Sequence, residues 1–465
     1  MLRKMLVVIF VLGACYSGQF YLSGCAQILA PTGGPRDSIP PKLISASPPE
    51  RTTNFTGNRI NLNFDEYIQL DQLQENLIVS PTPKVNPLVD YKLRTVTIKL
   101  KDTLLPNTTY AINFGNAIKD LNEGNPFKRF TYVFSTGSFI DSLELSGKVI
   151  IAESGKADST LQVYLYKNAP DSAVQKRRPD YITKLDSLGT FHFNYLPGGS
   201  YKVYAIKDGD GSKTYNSKSE LFGFLDSNII VSNASPNITL YAYAEEKEKP
   251  KGGGVIAKGK VPKDFKFRYT TTAPPDNQDI LKPYVVTFNS PLKEYKKTDI
   301  ALTDTLYNKI AIDSVVMDST QKTMRLFVKW EEDNNYRLFL NKGAFTDTLG
   351  NNTVKTDTLK FKTKKKTEYG SLAIHFKHLD LSSHPVLQFV QNNEVVLSYP
   401  LTGADWLETL MNPSEYDVRV LYDLNNNGKW DPGNYVLKKQ PEKVISINKR
   451  VTIRANFDNE IEVDL

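Results

Sequence analysis

Cysteine is nearly absent: the 465 residues contain two, Cys15 and Cys25. Everything after Cys25 therefore has no disulfide and no thiolate metal site, and its domains must be held by ordinary cores. Histidine is scarce too, with only His192, His375, His378 and His384. His375 and His378 lie three apart in the alternating segment 372–379, and residues i and i+3 of a strand face opposite sides, so they cannot share a metal. His192, between Phe191 and Phe193, should face solvent, and His384 sits beside Pro385 in a turn. Without a convergent His/Asp/Ser set, zinc and nucleophilic mechanisms have little support, and the chain reads as a non-enzyme. Charge of one sign is also lacking. The net +7 includes Arg3 and Lys4, and the basic runs 176–178 and 364–366 are isolated. A nucleic-acid surface needs basic residues gathered on one face with aromatic partners, so no nucleic-acid partner is expected.

Long apolar runs are missing as well. Met5–Ala14 is an uncharged stretch of ten residues behind Arg3 and Lys4, whereas a membrane span needs about 20. That pattern is a secretory signal over residues 1–24. Leu22-Ser23-Gly24-Cys25 resembles the lipobox of bacterial lipoproteins, which implies a lipid on the Cys25 thiol. Leu12-Gly13-Ala14-Cys15 fits the same pattern, so Cys15 is the alternative. Cys25 is preferred because cleavage at Cys15 would leave Phe20, Tyr21 and Leu22 exposed in a tether. Lipidation makes the membrane a partner and the chain tethered rather than soluble. The expected location is the outer membrane, on its periplasmic face or at the cell surface. Residues 25–41 hold four prolines and two glycines between 31 and 41 and read as an extended tether.

Beyond residue 42 the pattern has period two. Residues 60–64, 96–100 and 110–114 alternate apolar and polar, which marks half-buried strands, and no segment before residue 240 sustains a helical period. Ile60-x-Leu-x-Phe-x-Glu66, Val79-Ser-Pro81, Leu105-Pro-Asn-Thr-x-Tyr110, Ile118-x-Asp120-x-x-x-Gly124-Asn125 and Phe134-Ser-Thr136 follow in order. Together they resemble the bacterial Ig-like domain of S-layer proteins, and the tether 31–41 looks like that of Bacteroidetes Ig-like lipoproteins. Residues 143–244 carry Asp186-Ser-Leu-Gly189-Thr-Phe191 and Leu196-Pro-Gly-Gly199-Ser-Tyr201-Lys-Val203. This order resembles the carboxypeptidase-regulatory-like or collagen-adhesin B-type sandwich, a prealbumin-like fold. Some members of that family form a Lys–Asn isopeptide assisted by a Glu; here Ala205 stands where the acid is expected, which speaks against the bond.

The pair of domains then recurs. Phe288-Asn289, Asn335-Tyr336, Phe345-x-Asp347-x-x-Gly350-Asn351 and Phe361-x-Thr363 repeat the first set. Tyr416-Asp-Val418 and Asp423-x-Asn425-x-Asn427 repeat Tyr201-Lys-Val203 and Asp208-x-Asp210-x-Ser212 at a constant offset of 215. The expected fold is all-β: tandem Ig-like and prealbumin-like sandwiches on a lipid-anchored tether. The segments are an Ig-like domain at 42–137, a prealbumin-like sandwich at 143–244 and a flexible linker at 245–262. A divergent Ig-like domain at 263–365 and a second prealbumin-like sandwich at 366–465 follow, with a hinge expected near residue 250.

One loop carries metal-like chemistry. Asp423, Asn425, Asn427 and Asp431 place oxygens at positions 1, 3, 5 and 9, with Gly428 at 6 and the Lys429 carbonyl at 7, which suits Ca²⁺. Asn434 replaces the bidentate Glu at position 12. The competing reading is an Asx-rich turn whose side chains bond their own backbone. Its weaker counterpart is Asp208, Asp210, Ser212 and Asn216, with Lys213 at the glycine position. Calcium is the one cofactor these patterns admit. The 25 Tyr and 23 Phe are read as core and cross-strand packing, as are Trp406 and Trp430. The functional expectation is a non-enzymatic envelope scaffold, with a glycan-binding or adhesin-type surface protein as the alternative.

Overall fold

The computed structural model describes residues 37–246, 266–271, 278–353, 355–447 and 450–465. Cys15, Cys25, the tether up to residue 36 and most of the expected linker lie outside them. The chain is all-β and divides into two compact units, one ending at Asp141 and the other spanning Ser142–Leu465. Among the described residues the only α-helices are the single turns Leu73–Asn76 and Ala173–Lys176.

In the first unit, strands Leu43–Ser47, Arg59–Phe64, Thr95–Lys99 and Leu88–Lys92 form a sheet in that order. A second sheet pairs Ile78–Ser80, Thr109–Asn113 and Thr131–Ser135, and Ile68–Leu70 pairs with Ile118–Asp120. The alternation read from the sequence is the burial pattern: Ile60, Leu62 and Phe64 enter the core while Asn61 and Asn63 stay at its outer side. Residues 266–362 repeat this topology, with Tyr269–Thr271, Tyr284–Phe288, Thr323–Phe327 and Ser314–Met317 in the same order. Strands Ile300–Thr303, Asn335–Leu340 and Asp357–Lys362 form the second sheet, which gains the two-residue strand Lys309–Ile310.

The motifs shared by the two copies are clasps. The Tyr110 hydroxyl accepts from Leu105 N at 2.8 Å and the Tyr336 hydroxyl from Glu331 N at 3.1 Å. Thr136 donates to the Leu105 carbonyl at 2.7 Å, and Thr363 to that of Glu331 at 2.6 Å. Buried Asp120 accepts from the amides of Glu123, Gly124 and Asn125, and buried Asp347 from those of Leu349 and Asn351. Gly124 and Gly350 have φ of 78° and 84°, which is why the motif specifies glycine there. Burial alone would raise the Asp120 carboxyl, but the three amides outweigh it and hold it below the ordinary range.

Residues 143–242 form a three-stranded sheet, Thr190–Leu196, Leu143–Ile151 and Ile238–Ala242, against a five-stranded one. The larger sheet runs Tyr181–Lys184, Gln162–Lys167, Gly199–Ile206 and Phe222–Phe224, with Ile229–Val231 also on Gly199–Ile206. Residues 370–464 repeat both sheets strand for strand, with Gly370–Lys377 between Asp405–Met411 and Asp458–Asp464. In each copy a tyrosine at the start of the central strand donates to the carbonyl four residues earlier, Tyr201 to Pro197 at 2.8 Å and Tyr416 to Asn412 at 3.0 Å. Ala205 is fully buried opposite Val163.

The sandwich of residues 143–242 and that of residues 370–464 are docked on each other; the hinge expected near residue 250 lies outside the described residues. The arm 430–443 of the later copy covers the outer face of the five-stranded sheet of the earlier one. Tyr435 is buried among Tyr204, Tyr215, Phe222 and Phe224. Its hydroxyl donates to the Asp171 carbonyl at 2.8 Å and lies 3.0 Å from that of Tyr204, while Glu245 accepts from its amide at 3.0 Å. In return the turn at Gly155 packs on Val444 and Ser446, and Arg419 donates to the Glu153 carbonyl at 2.6 Å. The third segment is also fixed to the fourth: Asp279 accepts from the Tyr369 hydroxyl at 2.7 Å and from Asn412 at 2.8 Å.

Candidate functional site

The loop after Gly199–Ile206 turns sharply because Asp208, Asp210 and Ser212 bond the backbone beyond them. Asp208 Oδ2 accepts from Lys213 N at 3.0 Å and from the Tyr164 hydroxyl at 3.2 Å. Asp210 accepts from Ser212 N at 2.9 Å and from Asn216 Nδ2 at 2.8 Å. Glu220 folds back toward them, and one oxygen from each of Asp208, Asp210 and Glu220 lies within 4.8 Å of the others. The second oxygen of Asp208, Oδ1, is buried and has no hydrogen-bond partner. The bond from Asn216 leads the causes that hold Asp210 below the usual carboxylate range, whereas burial and then the charges of Asp210 and Asp208 raise Glu220. Three oxygen ligands crowded at this spacing repel one another unless a proton or a cation sits between them.

The loop favoured by its spacing behaves differently. Asp423 is fully buried, and its carboxylate accepts from Asn427 N at 3.1 Å and Gly428 N at 2.5 Å. Asn427 Oδ1 accepts from Lys429 N at 2.7 Å, and the side-chain amides of Asn425 and Asn427 both donate to Asp431 Oδ2. Asn434 is turned away and accepts from Leu437 N at 2.9 Å. Its place is taken by Glu442, buried, which accepts from Leu424 N at 2.9 Å and Asp431 N at 3.0 Å. The oxygens of this loop are engaged by its own amides, the Asx-turn arrangement. Among the described residues, the group of three acidic, histidine or cysteine side chains spaced for one metal is Asp208, Asp210 and Glu220. The acidic convergence thus sits at the counterpart loop. Glu220 and Glu442 were both missed by spacing, since neither falls on the twelve-residue pattern.

Both loops border the joint described above. Tyr215, between Asp210 and Glu220, stacks on Phe222 with ring centres 4.0 Å apart. Trp430 donates to the Glu442 carbonyl at 2.9 Å and leads into the arm that carries Tyr435.

His192, His375 and His378 each meet a polar side chain across a strand edge or strand end. Exposed His192 lies 2.8 Å from half-buried Ser146, directly across the strand pair. His375 bridges Asp405 at 2.6 Å and Glu460 at 3.0 Å, and His378 meets Asp464 at 2.7 Å. The Asp405 bond is the main cause raising His375 above its ordinary value. His375 lies in the strand Gly370–Lys377, and His378 follows it with a φ of 60°.

Residues 37–136 match the family of bacterial Ig-like domains. No curated protein sequence matches the chain. Among solved structures, similarity extends to the Bacillus anthracis TIE protein, at 10% identity over 93% of this chain and 76% of that one, TM-score 0.17. The major pilin subunit BcpA of Bacillus cereus is similar at 8% identity over 70% and 99%, TM-score 0.17. The N-terminal part of the bacterial S-layer protein SbsC is similar at 15% over 44% of each chain, TM-score 0.16.

Proposed function

We propose that the chain is a non-enzymatic lipoprotein of the bacterial cell envelope, held at the outer membrane by a lipid on Cys25, whose sandwiches serve as a spacer and interaction scaffold. The observation that carries this reading is the joint between the two prealbumin-like segments. It fastens parts 231 residues apart (Tyr204 to Tyr435) into one body, which suits holding surfaces at a fixed separation. Loops and edges on such a body are available to envelope partners, protein or glycan. Calcium in the Asp208–Asp210–Glu220 cluster is the cofactor we assign to it, stiffening the loop that carries Tyr215.

The membrane part is tested by expressing the chain in a Gram-negative host, fractionating the envelope and determining the N-terminal peptide by mass spectrometry. A diacylglycerol-modified Cys25 and loss of Cys25→Ala from the membrane fraction are expected. A lipid on Cys15, or a Cys25→Ala protein that stays with the membrane, overturns the anchor.

A further inference from the structure

We propose that the groove at the open edge of the first unit's four-stranded sheet binds an acidic oligosaccharide of the uronic-acid type. The groove, of about 530 Å³, lies along the hairpin Leu88–Lys92/Thr95–Lys99; its lining includes Tyr67, Tyr91, Lys92, Arg94 and Thr97, with Asp90 as its one carboxylate. Tyr67 and Tyr91 are 46% and 44% exposed, unusual for tyrosines in a chain whose other aromatic rings largely fill cores. An exposed ring face beside hydroxyl and charged groups is the arrangement that receives the C–H face of a pyranose while its hydroxyls are bonded at the rim.

The neighbouring sheet surface offers matching chemistry. Across it, Asn63 donates to Ser45 at 3.1 Å and accepts from Thr95 at 2.8 Å, and Thr97 donates to Asn61 at 3.0 Å. Hydroxyl and carboxamide side chains carry both donor and acceptor atoms, the chemistry that sugar hydroxyls require. Charge selects the acidic member of the class. Neither Lys92 nor Arg94 is in an ion pair among the described residues, and Arg94 rests 5.2 Å over the Tyr67 ring. Asp90 turns a carboxylate oxygen onto its own neighbour's amide, Tyr91 N, at 2.8 Å. A planar guanidinium free of a carboxylate is a ready partner for one on a ligand.

The repeat supplies a control for the fold itself. By register the third segment has Pro291 where the first unit has Tyr67, and Met317 where it has Tyr91, on the same strand order. Asp90 and Thr97 become Val316 and Arg325. The topology therefore does not require the two tyrosines or the polar face.

The inference does not depend on the lipid anchor. It is tested on the full chain in a polyoxyethylene detergent by calorimetric titration with tetragalacturonate and with maltotetraose. Binding of the acidic tetramer is expected, weakened about tenfold by Tyr91→Ala and by Arg94→Ala but kept by Tyr91→Phe. These residues are half-exposed at an edge, so folding is checked by unchanged near-ultraviolet dichroism. Absence of heat with tetragalacturonate, or full-strength binding by both alanine variants, overturns the site. Equal affinity for maltotetraose overturns the acidic specificity.

Discussion

Replacing Tyr435 by alanine should undo the joint while leaving each sandwich folded. The ring is buried against Phe222 at 5.0 Å, Phe224 at 5.2 Å and Tyr204 at 5.9 Å between centres, all edge-on. Removing a buried aromatic costs about 3–5 kcal/mol in transfer and cavity terms. Its hydroxyl also serves Asp171 and Tyr204, and stranding buried polar partners adds roughly 1–3 kcal/mol. Because the arm relaxes when the ring is lost, the two terms overlap, and about 4 kcal/mol is the working figure, near a thousandfold in an opening equilibrium. Tyr435→Phe keeps the packing and should lose only about 1–2 kcal/mol. Several sandwiches in one chain make a single melting temperature ill-defined, so the assay is native-state hydrogen exchange on the full chain. Amides of Phe222–Phe224 and of residues 434–442 should exchange about a thousandfold faster in Tyr435→Ala, while the inner strand Leu143–Ile151 keeps its protection. Unchanged protection at Phe222–Phe224 would refute the reasoning, because the arm would then contribute nothing to covering that sheet.

Gly433 lies where an added Cβ would come within 2.6 Å of Tyr243 Cζ and 2.7 Å of the Lys439 carbonyl. Gly433→Ala should loosen the same arm by about 1–3 kcal/mol, read by the same exchange experiment. Calcium should protect the wild type but not Asp210→Asn or Glu220→Gln; at a hundred times the dissociation constant the gain is about 2.7 kcal/mol. Titration followed by thermal unfolding checks it, and an equal gain in Asp210→Asn removes the cluster as the site. Asp120 predicts a pH effect on the first unit. Its folded carboxyl titrates below the ordinary 3.8, so the stability it confers is complete above that value and is lost as pH falls through the lower folded one. Urea midpoints between pH 5 and 2.5 should therefore fall more steeply for the wild type than for Asp120→Asn, and parallel curves would show that the turn does not depend on the ionised group.

The motifs that were legible from sequence turn out to be those whose physics is local. Tyr110 with Leu105, Asp120 with the following amides, and Tyr201 with Pro197 each bond within a few residues, so the spacing alone encodes the contact, and its recurrence encodes the repeat. The two Asx-rich loops were legible only in part for the same reason. Asp208 and Asp210 lie on the pattern, whereas Glu220 and Glu442 arrive from beyond it. The docking of the second and fourth sandwiches is non-local and has no motif, yet its trace is present in the strands it covers. A sandwich strand with one wet face alternates, as Ile60–Phe64 does. Val163-Tyr164-Leu165-Tyr166 and Val203-Tyr204-Ala205-Ile206 do not alternate: Val163, Leu165, Val203 and Ala205 fill the inner core, and Tyr164, Tyr166, Tyr204 and Ile206 face outward into the cluster that receives Tyr435. An antiparallel sheet apolar on both faces must be covered on both. The matching strand of the later copy, Ser414–Tyr422, carries Asp417 and Arg419 among its outward residues, so its outer face is the more polar of the two. That asymmetry between otherwise equivalent strands fixes which copy supplies the socket and which supplies the arm.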